Sequence, residues 1–158
     1  MRYRKQEFPT SCGIACVAML AGKKHNTVLK EAKTTFTEKR FGKTSSYTKC
    51  DEIKVLLKKF GVSWKNDFKP VMQNDQSQKK FWNGLEGINL VAVRFRIKDG
   101  TKYWHWIVAI RTEKYLKIYD PNPKKRVSCI DLAKGELPNQ ISYSHAKWDL
   151  KISQKSIE

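Results

Sequence analysis

An α+β fold is predicted, with N-terminal helices packed on an antiparallel sheet built from the second half of the chain. Three observations predict it. Apolar residues recur at helical spacing before residue 61, and after residue 88 they give way to runs of β-branched and aromatic residues. The Asp-Gly turn signal of Lys98-Asp99-Gly100-Thr101 separates two of those runs, as in a hairpin. Helices first and strands afterwards is the segregated pattern, not the alternation of βαβ units.

The elements follow in order. A first helix is expected over Thr10 to Ala21, with Thr10 and Ser11 to cap it and Gly22 to stop it. Ile14, Ala15, Ala18, Met19 and Leu20 supply its apolar face. A second helix runs from Cys50 to Phe60, where Ile53, Leu56, Leu57 and Phe60 fall at i, i+3, i+4 and i+7 before Gly61. Phe81, Trp82 and Leu85 mark a short third helix. Asn89 to Ile97 and Tyr103 to Arg111 are the hairpin strands, and Tyr115 to Tyr119 is the next. Asp120-Pro121-Asn122-Pro123 ends that strand, because proline has no N–H for a central ladder. Further strands are expected near Gln140 to Tyr143 and Trp148 to Ile152.

The 158 residues, 40% hydrophobic and 30% charged, suit one domain over 1–158 and are too apolar for a disordered chain. The longest apolar run, Ile14 to Ala21, falls far short of the roughly 20 residues of a membrane span. No signal-peptide cleavage site follows it, so a cytoplasmic protein is expected. Lys and Arg number 32 against 15 Asp and Glu, a net charge of +17. The lysines are spread in pairs: Lys23-Lys24, Lys58-Lys59, Lys79-Lys80, Lys124-Lys125. Such a surface keeps a protein soluble and attracts acidic partners, an acidic protein or inhibitor among them. Nucleic acid has no supporting motif, since no helix-turn-helix, finger or RNA-recognition signature is present. Gly42-Lys43-Thr44 imitates the end of a phosphate-binding loop, but Thr37 stands where its earlier glycine belongs.

Cys12, Cys16, Cys50 and Cys129 form no CxxC pair, and His25, His105 and His145 add no zinc-site spacing. Reduced thiols are expected: Cys16 in the core, Cys50 and Cys129 buried, and one of the four a nucleophile. His25 sits in a polar stretch and reads as a solvated loop residue.

The nucleophile is read from Gln6-Glu7-Phe8-Pro9-Thr10-Ser11-Cys12-Gly13-Ile14-Ala15-Cys16. A cysteine in the first turn of a helix faces the positive end of the macrodipole, which favours thiolate. Gly13 is expected to leave room for a substrate carbonyl. The Gln6 amide and the Cys12 backbone N–H are candidate donors to an oxyanion. Trp104-His105-Trp106-Ile107-Val108-Ala109-Ile110 supplies an imidazole on the strand face opposite both tryptophans, which read as sheet packing. The next strand ends at Asp120, which fits either an orienting carboxylate for His105 or a plain turn residue. His145, with Asp149, is a rival base.

Gln-x5-Cys-Gly-x-Ala-Cys-x-Ala-Met-Leu, the helix DEIKVLLKKFG, then HWIVAI and DP resemble the bacteriocin-leader-processing (double-glycine) cysteine peptidases, from Gln6 to Pro121. The resemblance implies a papain-like fold in a free-standing member, acting on a peptide or protein substrate. It implies Cys12 as nucleophile, His105 as general base and acid, Asp120 as orienting residue and Gln6 as oxyanion donor. That chemistry calls for no metal or organic cofactor. Relatives of the fold include deamidases, transamidating enzymes and toxins. The alternative is therefore a papain-fold effector delivered into a target cell and guided by its lysines to an acidic macromolecule. A basic binding module with an idle triad is the non-enzymatic alternative.

Overall fold

The computed structural model describes residues 1–36, 41, 47–94, 104–135 and 145–153. Helix α1 spans Cys12–Ala21 and ends at Gly22, whose φ of 65° suits a residue without a Cβ. Ser11 stands at the N-cap position but makes no cap bond, so the expected capping role fails; its hydroxyl is turned elsewhere. Helix α2, His25–Thr35, was not expected. Its sequence is polar, and Val28, Leu29 and Ala32, with His25 at its first position, mark a narrow buried stripe. Helix α3 spans Cys50–Lys59, with Asp51 and Glu52 in its first turn and Lys58 and Lys59 in its last, complementing the macrodipole. Helix α4 spans Asp75–Gly84, where the Asn74 side chain accepts the Ser77 N–H at 2.8 Å, and it contains the expected Phe81 and Trp82 turn.

The sheet is antiparallel and six-stranded, in the order β1-β6-β2-β3-β4-β5. Its strands are β1 Trp64–Pro70, β2 Ile88–Arg94, β3 Trp104–Arg111, β4 Tyr115–Asp120, β5 Arg126–Asp131 and β6 His145–Ile152. β1 and β5 went unread in the sequence because both are edge strands, exposed at most positions, and edges carry little buried apolar pattern. The expected Asp-Gly turn, the strand near Gln140 to Tyr143 and the Gly42-Lys43-Thr44 segment lie outside the described residues.

Two cores separate along the strand alternation. Leu90, Ala92, Trp106, Val108, Leu150 and Ile152 pack against α1, α2 and α3. Val91, Val93, Ile107, Ala109, Leu116 and Ile118 pack against Trp82 and Leu85 at the end of α4. Gln78 fastens α4 to β6: its side chain accepts the Ala146 N–H at 2.7 Å and donates to the Ala146 carbonyl at 2.8 Å. No described helix is long and apolar enough to cross a membrane.

Candidate active site

β3 and β4 remain paired only as far as Val108 opposite Tyr119. Continuing that register would bring Pro121 opposite Trp106, and proline offers no N–H to the ladder. The strands part there, and the N-terminal segment enters the gap. The Pro121 carbonyl accepts the Gln6 N–H at 2.8 Å and the Tyr3 hydroxyl at 3.3 Å. The Trp106 N–H, released from the ladder, donates to Cys12 Sγ at 3.5 Å. The first residue of α1 therefore sits with its sulfur in the split between two strands.

Alternation does the rest. His105 shares its face with Ile107 and Ala109, and Asp120 shares that face with Leu116 and Ile118. Across the split His105 Nε2 lies 2.5 Å from Asp120 Oδ1, with His105 4% and Asp120 1% exposed. Asp120 Oδ1 also accepts the Asn122 N–H at 2.8 Å, so the carboxylate is held from two sides. With Nε2 engaged, the ring nitrogen remaining for Cys12 is Nδ1. Burial is the largest influence on this imidazole and pulls its pKa down. The hydrogen bonds to Asp120 and Cys12, with the charges of both, outweigh burial and lift it to about 9. A cation at His105 beside a sulfur at a helix start is the arrangement that favours an ion pair of imidazolium and thiolate. Cys16, one turn on, is fully buried as expected, and burial pushes its thiol well above the ordinary range.

Other residues stand where the sequence did not put them. Gln6 lies in the same segment, but its amide donates to the Phe8 carbonyl at 3.1 Å and the Pro9 carbonyl at 2.8 Å. Both amide hydrogens are thereby used within the loop that leads to Cys12. The space beside Gly13 is not open for a substrate, contrary to expectation. An added Cβ would meet Thr48 Oγ1 at 1.8 Å and Trp106 Cδ1 at 3.2 Å, so the glycine serves close packing. Trp106 packs as expected, tilted on Phe68, and its indole N–H donates to the Thr48 carbonyl at 3.2 Å. Trp104 lies under Lys147 and Arg94. His145 is 3.4 Å from the exposed Asp75, paired away from Cys12. Cys50 is half-buried and Cys129 is exposed on β5, where both were expected to be buried.

His25 is the larger correction. It is 5% exposed, not solvated, and its Nε2 lies 3.1 Å from Ser11 Oγ. That hydroxyl accepts the Phe8 N–H and donates to the Phe8 carbonyl, each at 3.0 Å, and the Phe8 ring meets the imidazole edge-on. His25 thus braces the loop carrying Gln6 and leading into Cys12. The one sequence signal was the Val28, Leu29 and Ala32 stripe, which makes α2 a helix and turns its first residue inward.

The family model for the peptidase C39 family matches residues 1–132. Among solved structures, the peptidase domain of Streptococcus ComA, a bifunctional ABC transporter of a quorum-sensing pathway, is similar at 22% identity and a TM-score of 0.54. That match covers 94% of this chain and 96% of that one. The Streptococcus mutans ComA peptidase domain is 16% identical with a TM-score of 0.50, over 97% of this chain and 99% of that one. The Pseudomonas avirulence protein AvrPphB is 15% identical with a TM-score of 0.51, over 90% of this chain and 91% of that one. A search of curated protein sequences finds no match.

Proposed function

The chain belongs to the peptidase C39 family and is a cysteine peptidase with a papain-like fold, and from that premise we propose that it cleaves a peptide bond through Cys12, His105 and Asp120. The observation carrying this reading is the 2.5 Å contact of His105 Nε2 with Asp120 beside a Cys12 sulfur that accepts the Trp106 N–H.

Cys12 attacks the scissile carbonyl as thiolate, its proton held by His105. The tetrahedral oxyanion forms at the start of α1, where first-turn N–H groups have no intrahelical acceptor. Gln6 is the second donor. To serve, its amide exchanges one loop carbonyl for the oxyanion when substrate binds. His105 then protonates the leaving amine, a thioester remains on Cys12, and water releases it with His105 as base. Asp120 fixes the ring and supports its positive charge.

Brief iodoacetamide treatment at about pH 6, where an ordinary thiol is almost wholly protonated, tests the first step. Cys12 is expected to be labelled far faster than Cys16, Cys50 or the exposed Cys129, as read by peptide mass spectrometry. Exposed Cys129 is the built-in control, since access alone favours it. Faster labelling of Cys129 would end the nucleophile assignment. Trapping an acyl group on Cys12 with a peptide mixture tests the second step.

A further inference from the structure

The parted end of β3 and β4 gathers positive charge from two distant stretches of chain. Arg2, Arg4 and Lys5 precede Gln6, and Lys124, Lys125 and Arg126 follow Asp120 by a single turn. The two stretches are joined at one atom, the Pro121 carbonyl, which takes both the Gln6 N–H and the Tyr3 hydroxyl. Arg126 is near Tyr3: burial and then the Asp120 charge raise that phenol's pKa, and the guanidinium opposes them. The seven arginines of the chain are Arg2, Arg4, Arg40, Arg94, Arg96, Arg111 and Arg126, and three of them fall on this rim. Guanidinium is the cation whose planar fork matches a carboxylate.

Among the described residues none of these cations forms a salt bridge, although Arg126 stands opposite Asp120 across the β4–β5 ladder. Among the described residues, the lysines that form ion pairs are Lys54 with Asp51 and Asp67, Lys59 with Glu31, and Lys151 with Glu86, all elsewhere. Asp120, the carboxylate at the rim's base, is taken by His105 and Asn122. Arg4 Nε is shielded from water with no acceptor, so this guanidinium is not fully satisfied within the chain. Arg126 is held at φ 59°, a left-handed conformation uncommon for an arginine. The Asn122 carbonyl maintains it, accepting the Lys125 and Arg126 N–H groups at 2.9 and 3.0 Å.

We propose that this rim binds an acidic stretch of the polypeptide substrate, so that carboxylate side chains flanking the scissile bond dock on Arg4, Lys124, Lys125 and Arg126 while the bond lies over Cys12. The inference rests on the peptidase reading for its occupant. It gives part of the +17 charge a local task at the site.

The test uses the whole protein and a reporter that needs no cleavage, namely the rate at which iodoacetamide alkylates Cys12. A glutamate decamer is the probe, with a glutamine decamer and a thymidine decanucleotide as comparisons. At about 10 mM ionic strength, where charges act over about 30 Å, the glutamate decamer is expected to protect Cys12 and the glutamine decamer is not. At about 1 M, where the reach is about 3 Å, protection disappears. Combining Lys124→Gln, Lys125→Gln and Arg126→Asn, with asparagine chosen because it tolerates positive φ, raises the half-protecting concentration about tenfold for three exposed pairs. Lys79→Gln, Lys80→Gln and Lys114→Gln remove the same charge elsewhere and leave that concentration unchanged. Equal loss in the two triple variants overturns the rim in favour of diffuse charge, and so does an absence of protection. Protection by the oligonucleotide alone overturns the polypeptide occupant. Protection by glutamate without any peptide hydrolysis keeps the rim and defeats the peptidase mechanism.

Discussion

His105, in β3, and His25, at the start of α2, are buried almost equally, at 4% and 5% exposure. Their protonation equilibria move in opposite directions. Burial lowers His25, which has a hydroxyl as its close partner. Burial lowers His105 too, yet it rises to about 9, because the Asp120 carboxylate and the Cys12 sulfur stand against its two nitrogens. Burial lowers both, and the partner decides which way each one finally moves. A neutral imidazole is suited to bracing a loop, and a cationic one to holding a thiolate.

Removing the partner is the strongest way to break this contrast. Asp120→Asn takes away the carboxylate, and the His105 pKa is expected to fall well below 9, toward the direction in which burial pulls it. Peptide hydrolysis should fall about 10⁴-fold, the loss seen when a triad carboxylate becomes an amide. NMR titration of the ring reads the equilibrium directly. A His105 that still titrates near 9 in that variant would show that Asp120 is not what lifts it.

The same comparison has a pH signature. The folded-state pKa of His105 lies above its unfolded value of 6.5, so its stabilising contribution is complete below 6.5 and is lost as pH rises through about 9. Hydrolysis should decline over the same alkaline limb, as the proton for the leaving amine is lost. His25 has the opposite sign. Its pKa is lowered, so protonation below 6.5 opposes the fold, a penalty absent in neutral solution. Denaturant titrations across pH on the wild type and on His25→Gln separate the two contributions.

His25→Ala should cost about 1–3 kcal/mol of stability, through the orphaned Ser11 contact and the lost ring packing on Phe8. If His25 braces the loop, His25→Gln recovers part of this, and kcat falls in the alanine variant while Cys12 remains alkylatable. An alanine variant with unchanged stability and kcat would reduce His25 to a bystander.

The smallest effect concerns a third, half-buried group. Asp149 on β6 lines a cavity of about 390 Å³ between the sheet and α4, and one of its oxygens is buried without a donor. Burial raises its pKa from 3.8 to about 6, against Lys69 and Lys151. Its charged form is therefore disfavoured in the fold, and the stability it offers below 3.8 is lost as pH rises through about 6. Asp149→Asn should stabilise the protein by about 1 kcal/mol near neutral pH, with no gain in acid. A destabilised variant would mean that the carboxylate has a partner after all. Burial without convergence thus leaves Asp149 a cost, where Asp120 is held by two donors.

Local signals carried much of the fold. Gly22 after an apolar face, the i, i+3, i+4, i+7 spacing of α3 and the β-branched and aromatic runs of β2 to β4 are properties of adjacent residues, and they were legible. α2, β1 and β5 were not, since a polar helix and two edge strands hold their places through what they pack against. The same division runs through the site. Residue type and position made candidates of Cys12 at a helix start and His105 on a strand, and left Asp120 before a proline open between an orienting carboxylate and a turn residue. Only the tertiary structure parts β3 from β4 and admits the N-terminal segment to the gap. It also commits the Gln6 amide to its own loop, fills the space beside Gly13 with Thr48, and turns His25 inward onto Ser11. Those arrangements join residues distant in the chain through hydrogen bonds and close packing, and no periodicity within a short window encodes a partner from another segment.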